Sequence, residues 1–183
     1  VLTHAVDPEW IDNSSHPVGS ALAPSTIAIR SGALLIEFFS GATVVLEGPT
    51  EFQVLSSTKG CLISGKLNAH VPRQAQGFTI STADREIVDL GTDFGLSLLS
   101  NAGHELHVFQ GKVEVQSTAN SLFIETGEAI RLDSESPPKF AANRSKFLAK
   151  EELIERSKNL ADQRFAQWRN KSLSLSSTPE ALY

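Results

Sequence analysis

Between residues 25 and 132 apolar side chains recur at every second position in short runs, and a small polar residue followed by glycine precedes many of them. The clearest runs are Ser31–Phe38, Ser40–Glu47, Ser64–Val71, Gln110–Val115 and Thr126–Leu132, opened by Gly32, Gly41, Gly65, Gly111 and Gly127. A period of two puts alternate side chains on one face of an extended chain, and glycine supplies the positive φ of a tight turn. The pattern predicts strands that start at glycine turns. Further strands are predicted over Ser25–Arg30, Glu51–Leu55, Phe78–Thr82, Gly95–Leu99, Glu105–Phe109 and Leu122–Glu125. Turn signals at Glu47-Gly48-Pro49, Lys59-Gly60, Gln76-Gly77 and Asn101-Ala102-Gly103 divide them. Spacing of about 8 to 12 residues between such signals suits an all-β body, either an irregular sandwich or a short solenoid-like stack of short strands.

The pattern changes near residue 150. Leu153, Ile154, Leu160, Ala161, Phe165 and Trp168 stand at helical intervals with charges between them, which predicts one long amphipathic α-helix over about Lys150–Lys171. The ordinary role of such a face is to cover a flank of the β-body, with Trp168 committed to the buried side. Pro137-Pro138 and the Asp133–Ser136 run read as a hinge, and Ser172–Pro179 as a polar exit linker. The expected division is therefore residues 1–143, a β-domain with its lead-in, and residues 144–183, the helix and linker.

Composition sharpens this division. All twelve glycines precede residue 128. Residues 1–143 carry eight Lys/Arg against sixteen Asp/Glu, and residues 144–183 carry eight against five, so a body of net charge −8 joins a tail of +3. An acidic body without clustered cations speaks against a nucleic-acid partner, whose phosphates demand a basic footprint. No stretch approaches the roughly 18 consecutive apolar residues of a membrane span, and Cys61 is the single cysteine, so no disulfide forms within the chain. The sequence contains no Met, even at position 1, and reads as a piece of a longer protein whose leader or anchor would lie upstream of Val1.

Candidate chemistry is sparse. Asp93-Phe94-Gly95 repeats three letters of the kinase magnesium triplet without a phosphate loop or catalytic loop. Asp89 and Asp93 could be imagined as an acid and base pair. Their place around Leu90-Gly91-Thr92 instead predicts turn capping, with Asp89 and Thr92 bonding nearby backbone amides. His104 and His107, three apart in a strand, project to opposite faces and cannot share a metal. His4, His16 and His70 lack neighbours at ligand spacing. Cys61 lies in an apolar run and is expected to be a buried, inert thiol. No Gly-x-Ser-x-Gly elbow is present. The reading is of a protein that is not an enzyme, with no catalytic residue, no metal site and no cofactor. Trp10 is the one aromatic left as a candidate ligand platform.

Taken in order, several motifs carry a resemblance. They are residues 31–52 (Ser31 to Phe52), Gly65-Lys-Leu-Asn-Ala-His-Val-Pro72, Gly77-Phe-Thr-Ile-Ser-Thr82, Val88-Asp-Leu-Gly-Thr-Asp-Phe-Gly95, His107-Val-Phe-Gln-Gly-Lys-Val-Glu-Val115 and Gly127-Glu-Ala129. This series over about residues 25–133 resembles the FecR domain, in the version common in planctomycetes and verrucomicrobia. The tail is similar to those proteins too, in which a helix and a segment like Thr178–Tyr183 lead into a lectin-like jelly-roll domain. The resemblance implies a compact extracytoplasmic β-domain, periplasmic or on the cell surface, held in the full-length protein by an upstream membrane helix. It implies no catalytic residue.

The expected function is thus a non-enzymatic extracytoplasmic sensing and signal-transduction domain of a FecR-type transmembrane regulator. Its expected partner is another protein module, met through a groove or an exposed strand edge. The alternatives are a carbohydrate-binding or adhesive accessory module, with polysaccharide as partner, and a structural spacer beside a lectin-like domain.

Overall fold

A computed structural model describes residues 1–11, 15–100, 103–117, 120–134 and 137–176, with side chains to residue 172. Twelve strands form the body: β1 (Leu2–Trp10), β2 (Ser25–Glu37), β3 (Thr43–Val54), β4 (Lys59–His70), β5 (Thr79–Ser81), β6 (Glu86–Asp89), β7 (Asp93–Leu99), β8 (Gly103–Gln110), β9 (Lys112–Gln116), β10 (Ser121–Glu125), β11 (Glu128–Arg131) and β12 (Phe140–Ala141). One helix, α1 (Lys150–Ser176), follows. The expected all-β body with a single long C-terminal helix is what the chain forms, as one curled half-barrel sheet.

The sheet forks at β4. Its second half pairs with β7, which continues through β8 and β11 to β12; its first half pairs in parallel with β5, which continues through β6 and β9 to β10. Strands β1, β2 and β3 add to the other side of β4 and serve both branches. One core fills the concave side. Leu34, Ile36, Leu46, Leu67, Phe94, Leu96, Leu106 and Ile130 enter it from one branch, and Ile27, Phe52, Leu62, Ile80, Ile87, Val113 and Ile124 from the other.

Three of the predicted turns are bends inside strands. Gly32, Gly48 and Gly65 lie in mid-strand, so Ser25–Arg30 and Ser31–Phe38 belong to one strand, and Glu47-Gly48-Pro49 is a kink within β3 with a cis Gly48–Pro49 bond. Lys59-Gly60 is likewise the start of β4. The reason is a crease that crosses β1 to β4. The registers between β1 and β2, β2 and β3, and β3 and β4 all slip along it. A Cβ on Gly32 would stand 2.3 Å from the Asp7 carbonyl oxygen, and one on Gly65 2.4 Å from that of Pro49. Each of these two glycines is also a bulge, since core-facing positions change from Ile27 and Ile29 to Leu34 and Ile36 in β2, and from Leu62 to Leu67 and Ala69 in β4. Gly41 does occupy a reversal, between the paired strands β2 and β3, and Gly77 a connection before β5; Gly111 and Gly127, also at positive φ, carry the chain from one branch to the other, between β8 and β9 and between β10 and β11, which do not pair with each other.

The half-barrel's outer face is covered in part by the segment that leads into α1. After β12, a 3-10 turn at Arg144–Lys146 and the residues Phe147–Ala149 cross the sheet as a strap. Leu148 and Leu153 then bury against Ala33, Leu35 and Val45, with Val6 and Ile154 at the margin. Beyond this base the helix differs from expectation. Phe165 and Trp168 are 61% and 63% exposed, so Trp168 is not committed to a buried face. Further along, Arg164 forms an ion pair with Asp7 of β1 at 3.0 Å. The helix also runs to Ser176, past the predicted end at Lys171, so the first half of the expected linker is helical. Residues 177–183, including Tyr183, lie outside the described residues.

Candidate functional site

The polar groups that converge in this protein lie beneath the strap. On the convex side of β4, β7 and β8, alternation places Lys66, Asn68 and His70 beside Ser97, Gly95 and Asp93, and then Glu105 and His107 beside Ser97 and Gly95. Gly95 leaves a hollow in the middle of this array. The ring of Phe147 fills it, and a Cβ on Gly95 would stand 2.7 Å from the ring atoms.

His107 is wholly buried under the strap, edge-on to Phe140 and Phe147 at centroid distances of 5.6 and 5.3 Å. Its Nδ1 accepts the backbone N–H of Asn143 at 3.2 Å, which leaves the ring proton on Nε2, 3.0 Å from a Glu105 oxygen. Glu105 Oε2 also accepts from Lys146 Nζ at 2.6 Å. Burial pulls the His107 imidazole below its ordinary value, with Glu105 opposing. Burial alone would raise Glu105; the hydrogen bonds from Lys146 and His107 outweigh it and hold the carboxyl below the usual range. Two further bonds fasten the strap, from Asn68 Nδ2 to the Leu148 carbonyl at 3.1 Å and from Lys66 Nζ to that of Lys146 at 3.3 Å.

Next to this latch is an open cleft of about 280 Å³, lined by His70, Asp93, Arg144, Lys150 and Glu151 among others. Asp93 is the hub: one oxygen meets His70 Nδ1 and the other accepts from Arg144 at 3.0 Å, while the guanidinium also lies over the Phe109 ring. Both clusters tie the base of α1 to the sheet, and their geometry is that of a latch between two parts of the chain.

The sequence-predicted residues are dispersed around this region. Asp89 caps its turn as expected, accepting from the Gly91 N–H at 2.6 Å and from the Thr92 hydroxyl. Burial pushes its carboxyl up to about 7, against the amides of Gly91 and Thr92. His104 and His107 do fall on opposite sides: His104 is exposed and faces Asp133 at 3.4 Å. Among the described residues no group of three His, Cys, Asp or Glu side chains is placed to hold a metal. Cys61 is half-buried rather than buried, because in the first half of β4 the core takes Gly60 and Leu62. Trp10 ends β1, half-buried against the core and edge-on to His16 at 5.5 Å. The latch went unread in the sequence, although Glu105-Leu106-His107 already places a carboxylate and an imidazole on one strand face.

Two other features are apolar. Phe39, 85% exposed, separates grooves of about 220 and 370 Å³ that share Val1, Glu37 and Phe38. The second is the stacked pair of Phe165 and Trp168 on the distal half of α1.

The fold has solved counterparts. Two crystal structures of a "putative anti-sigma factor" from Parabacteroides distasonis ATCC 8503, at 2.50 and 1.65 Å, superpose with a TM-score of 0.56 and 19% sequence identity. They match 68% and 67% of this chain, and the chain spans 62% of their length. The shared property is the fold. No protein-family model matches the sequence, and no curated protein matches it.

Proposed function

We propose that this chain is a non-enzymatic sensing domain of a FecR-type transmembrane regulator, working outside the cytoplasm and held by a membrane anchor upstream of Val1. The observation that carries the reading is the fold shared with the anti-sigma-factor-like structures, over two thirds of this chain. The residue motifs that resemble the FecR domain support the same class. So does the form of the candidate site, where His107, Glu105, Asp93 and Arg144 serve to fasten a helix to a sheet. In this role the β-body meets another protein module, through the grooves beside Phe39 or along β10, which pairs on one side only among the described strands. The strap then sets the direction in which α1 leaves the body.

The test uses the natural full-length protein in its own cells. Protease added to intact spheroplasts should cut this domain while a cytoplasmic marker survives, the domain should sediment with membranes, and its deletion should change transcription of a defined set of genes. Recovery of the domain as a freely soluble secreted protein, with transcription unchanged on deletion, would overturn the reading in favour of an adhesive module or a spacer.

A further inference from the structure

We propose that the distal half of α1 is a docking strip for an anionic lipid bilayer surface. At helical spacing Ala161, Phe165, Trp168 and Ser172 fall on one strip about 16 Å long in the distal half of the helix. The rings of Phe165 and Trp168 stack 5.9 Å apart, and both are exposed. Lys158 and Arg169 border this strip on one side and Arg164 on the other, with Gln163, Gln167 and Asn170 on the opposite side of the helix. An aromatic strip bracketed by cations suits the headgroup region, where Trp and Phe rings enter the acyl boundary and long basic side chains reach the phosphates.

Charge commits the strip to an anionic surface. Residues 156–172 carry five basic side chains against one acidic, Asp162, while residues 1–143 carry a net −8. A negative surface attracts the helix and repels the body, so the same field both binds the molecule and biases its orientation. The strip is narrow, two rings wide at most. Binding through it is shallow and reversible, and it places no chain across the bilayer; no described helix is long and apolar enough for that. The inference rests on the helix alone and stands whether or not the regulator reading does.

The experiment takes the whole 183-residue chain with Trp10→Phe, which leaves Trp168 as the single tryptophan, and adds vesicles of phosphatidylcholine with or without about one third phosphatidylglycerol. The expected result is co-sedimentation with the anionic vesicles and a blue shift of Trp168 emission, both reduced about tenfold or more in 0.5 M salt. Phe165→Ser with Trp168→Ser should abolish sedimentation, and Lys158→Ser with Arg169→Ser should weaken it about tenfold; circular dichroism checks that each variant keeps its fold. Three results would overturn the proposal: no binding to anionic vesicles, equal binding to neutral ones, or a self-association by light scattering that the aromatic double variant abolishes while lipid binding is absent. The last would assign the strip to a second copy of the chain.

Discussion

At the scale of single residues, the latch turns on two small facts, the missing side chain of Gly95 and the unprotonated Nδ1 of His107. Gly95→Val would drive a branched side chain into the space of the Phe147 ring. Overpacking of this kind costs about 1–3 kcal/mol, to be read as a lower denaturation midpoint. His107 has a depressed folded-state pKa, so below its ordinary 6.5 the unfolded chain binds the proton more readily than the folded one. Its contribution to stability is therefore lost as pH falls from about 6.5, when protonated Nδ1 would face the Asn143 N–H. Glu105, Lys146 and the Asn143 amide are the polar groups at the ring, and Phe140 and Phe147 close it off. Asp89 acts in the opposite sense. Raised to about 7, it holds a proton in the folded state above 3.8, and the stability this gives fades as pH rises toward 7. Urea titrations at pH 5 and 7.5 separate the two. The stability gap between the parent and His107→Gln should narrow at pH 5, while Asp89→Asn should gain stability relative to the parent on going from pH 5 to 7.5. Gaps that stay constant with pH would contradict both assignments.

At the scale of elements, the strands are long because the crease lets one strand serve both branches of the sheet. Gly65 has positive φ and faces the Pro49 carbonyl and Thr50 at under 3 Å, whereas Gly77, at a similar φ of +92°, has nothing within 4 Å of where a Cβ would stand. Gly65→Ala should then cost about 1–3 kcal/mol more than Gly77→Ala, since both carry backbone strain and only the first carries a clash. Equal losses would count against the crease. This is also where the sequence was hardest to read. A period-two pattern that shifts phase at a glycine looks the same whether the chain turns back or bulges onward, so Ser25–Phe38 read as two strands. Where the connection truly reverses, as at Gly41 between the paired strands β2 and β3, the reading and the structure agree; at Gly111 and Gly127 the chain instead runs on from one branch to the other, since β8 does not pair with β9 nor β10 with β11. The class of the body, the start of the helix and the Asp89 turn were legible because local periodicity and capping determine them. The latch was not, because Asn143 and His107 stand 36 residues apart and meet only through the fold.

At the scale of the whole molecule, an acidic half-barrel carries a basic helix that is bound at one end. Leu153 is fully buried at the base, while Phe165 and Trp168, about three and four turns further along, lie in the open. Helical periodicity alone gave these apolar residues one common face and one common fate. It missed that the body ends before the helix does, which is a matter of the sheet's extent and not of the helix's own pattern. The strap thereby becomes the place where a change in the β-body can alter the course of the helix.

Hydrogen exchange of the intact chain, followed by mass spectrometry, tests this arrangement most directly. Amides of β2, β3 and β4 should be protected together with those of residues 150–156, and protection should fall by orders of magnitude from about residue 161 onward. Protection of the distal helix equal to that of the sheet would mean that the helix is packed along its whole length, and would contradict the account.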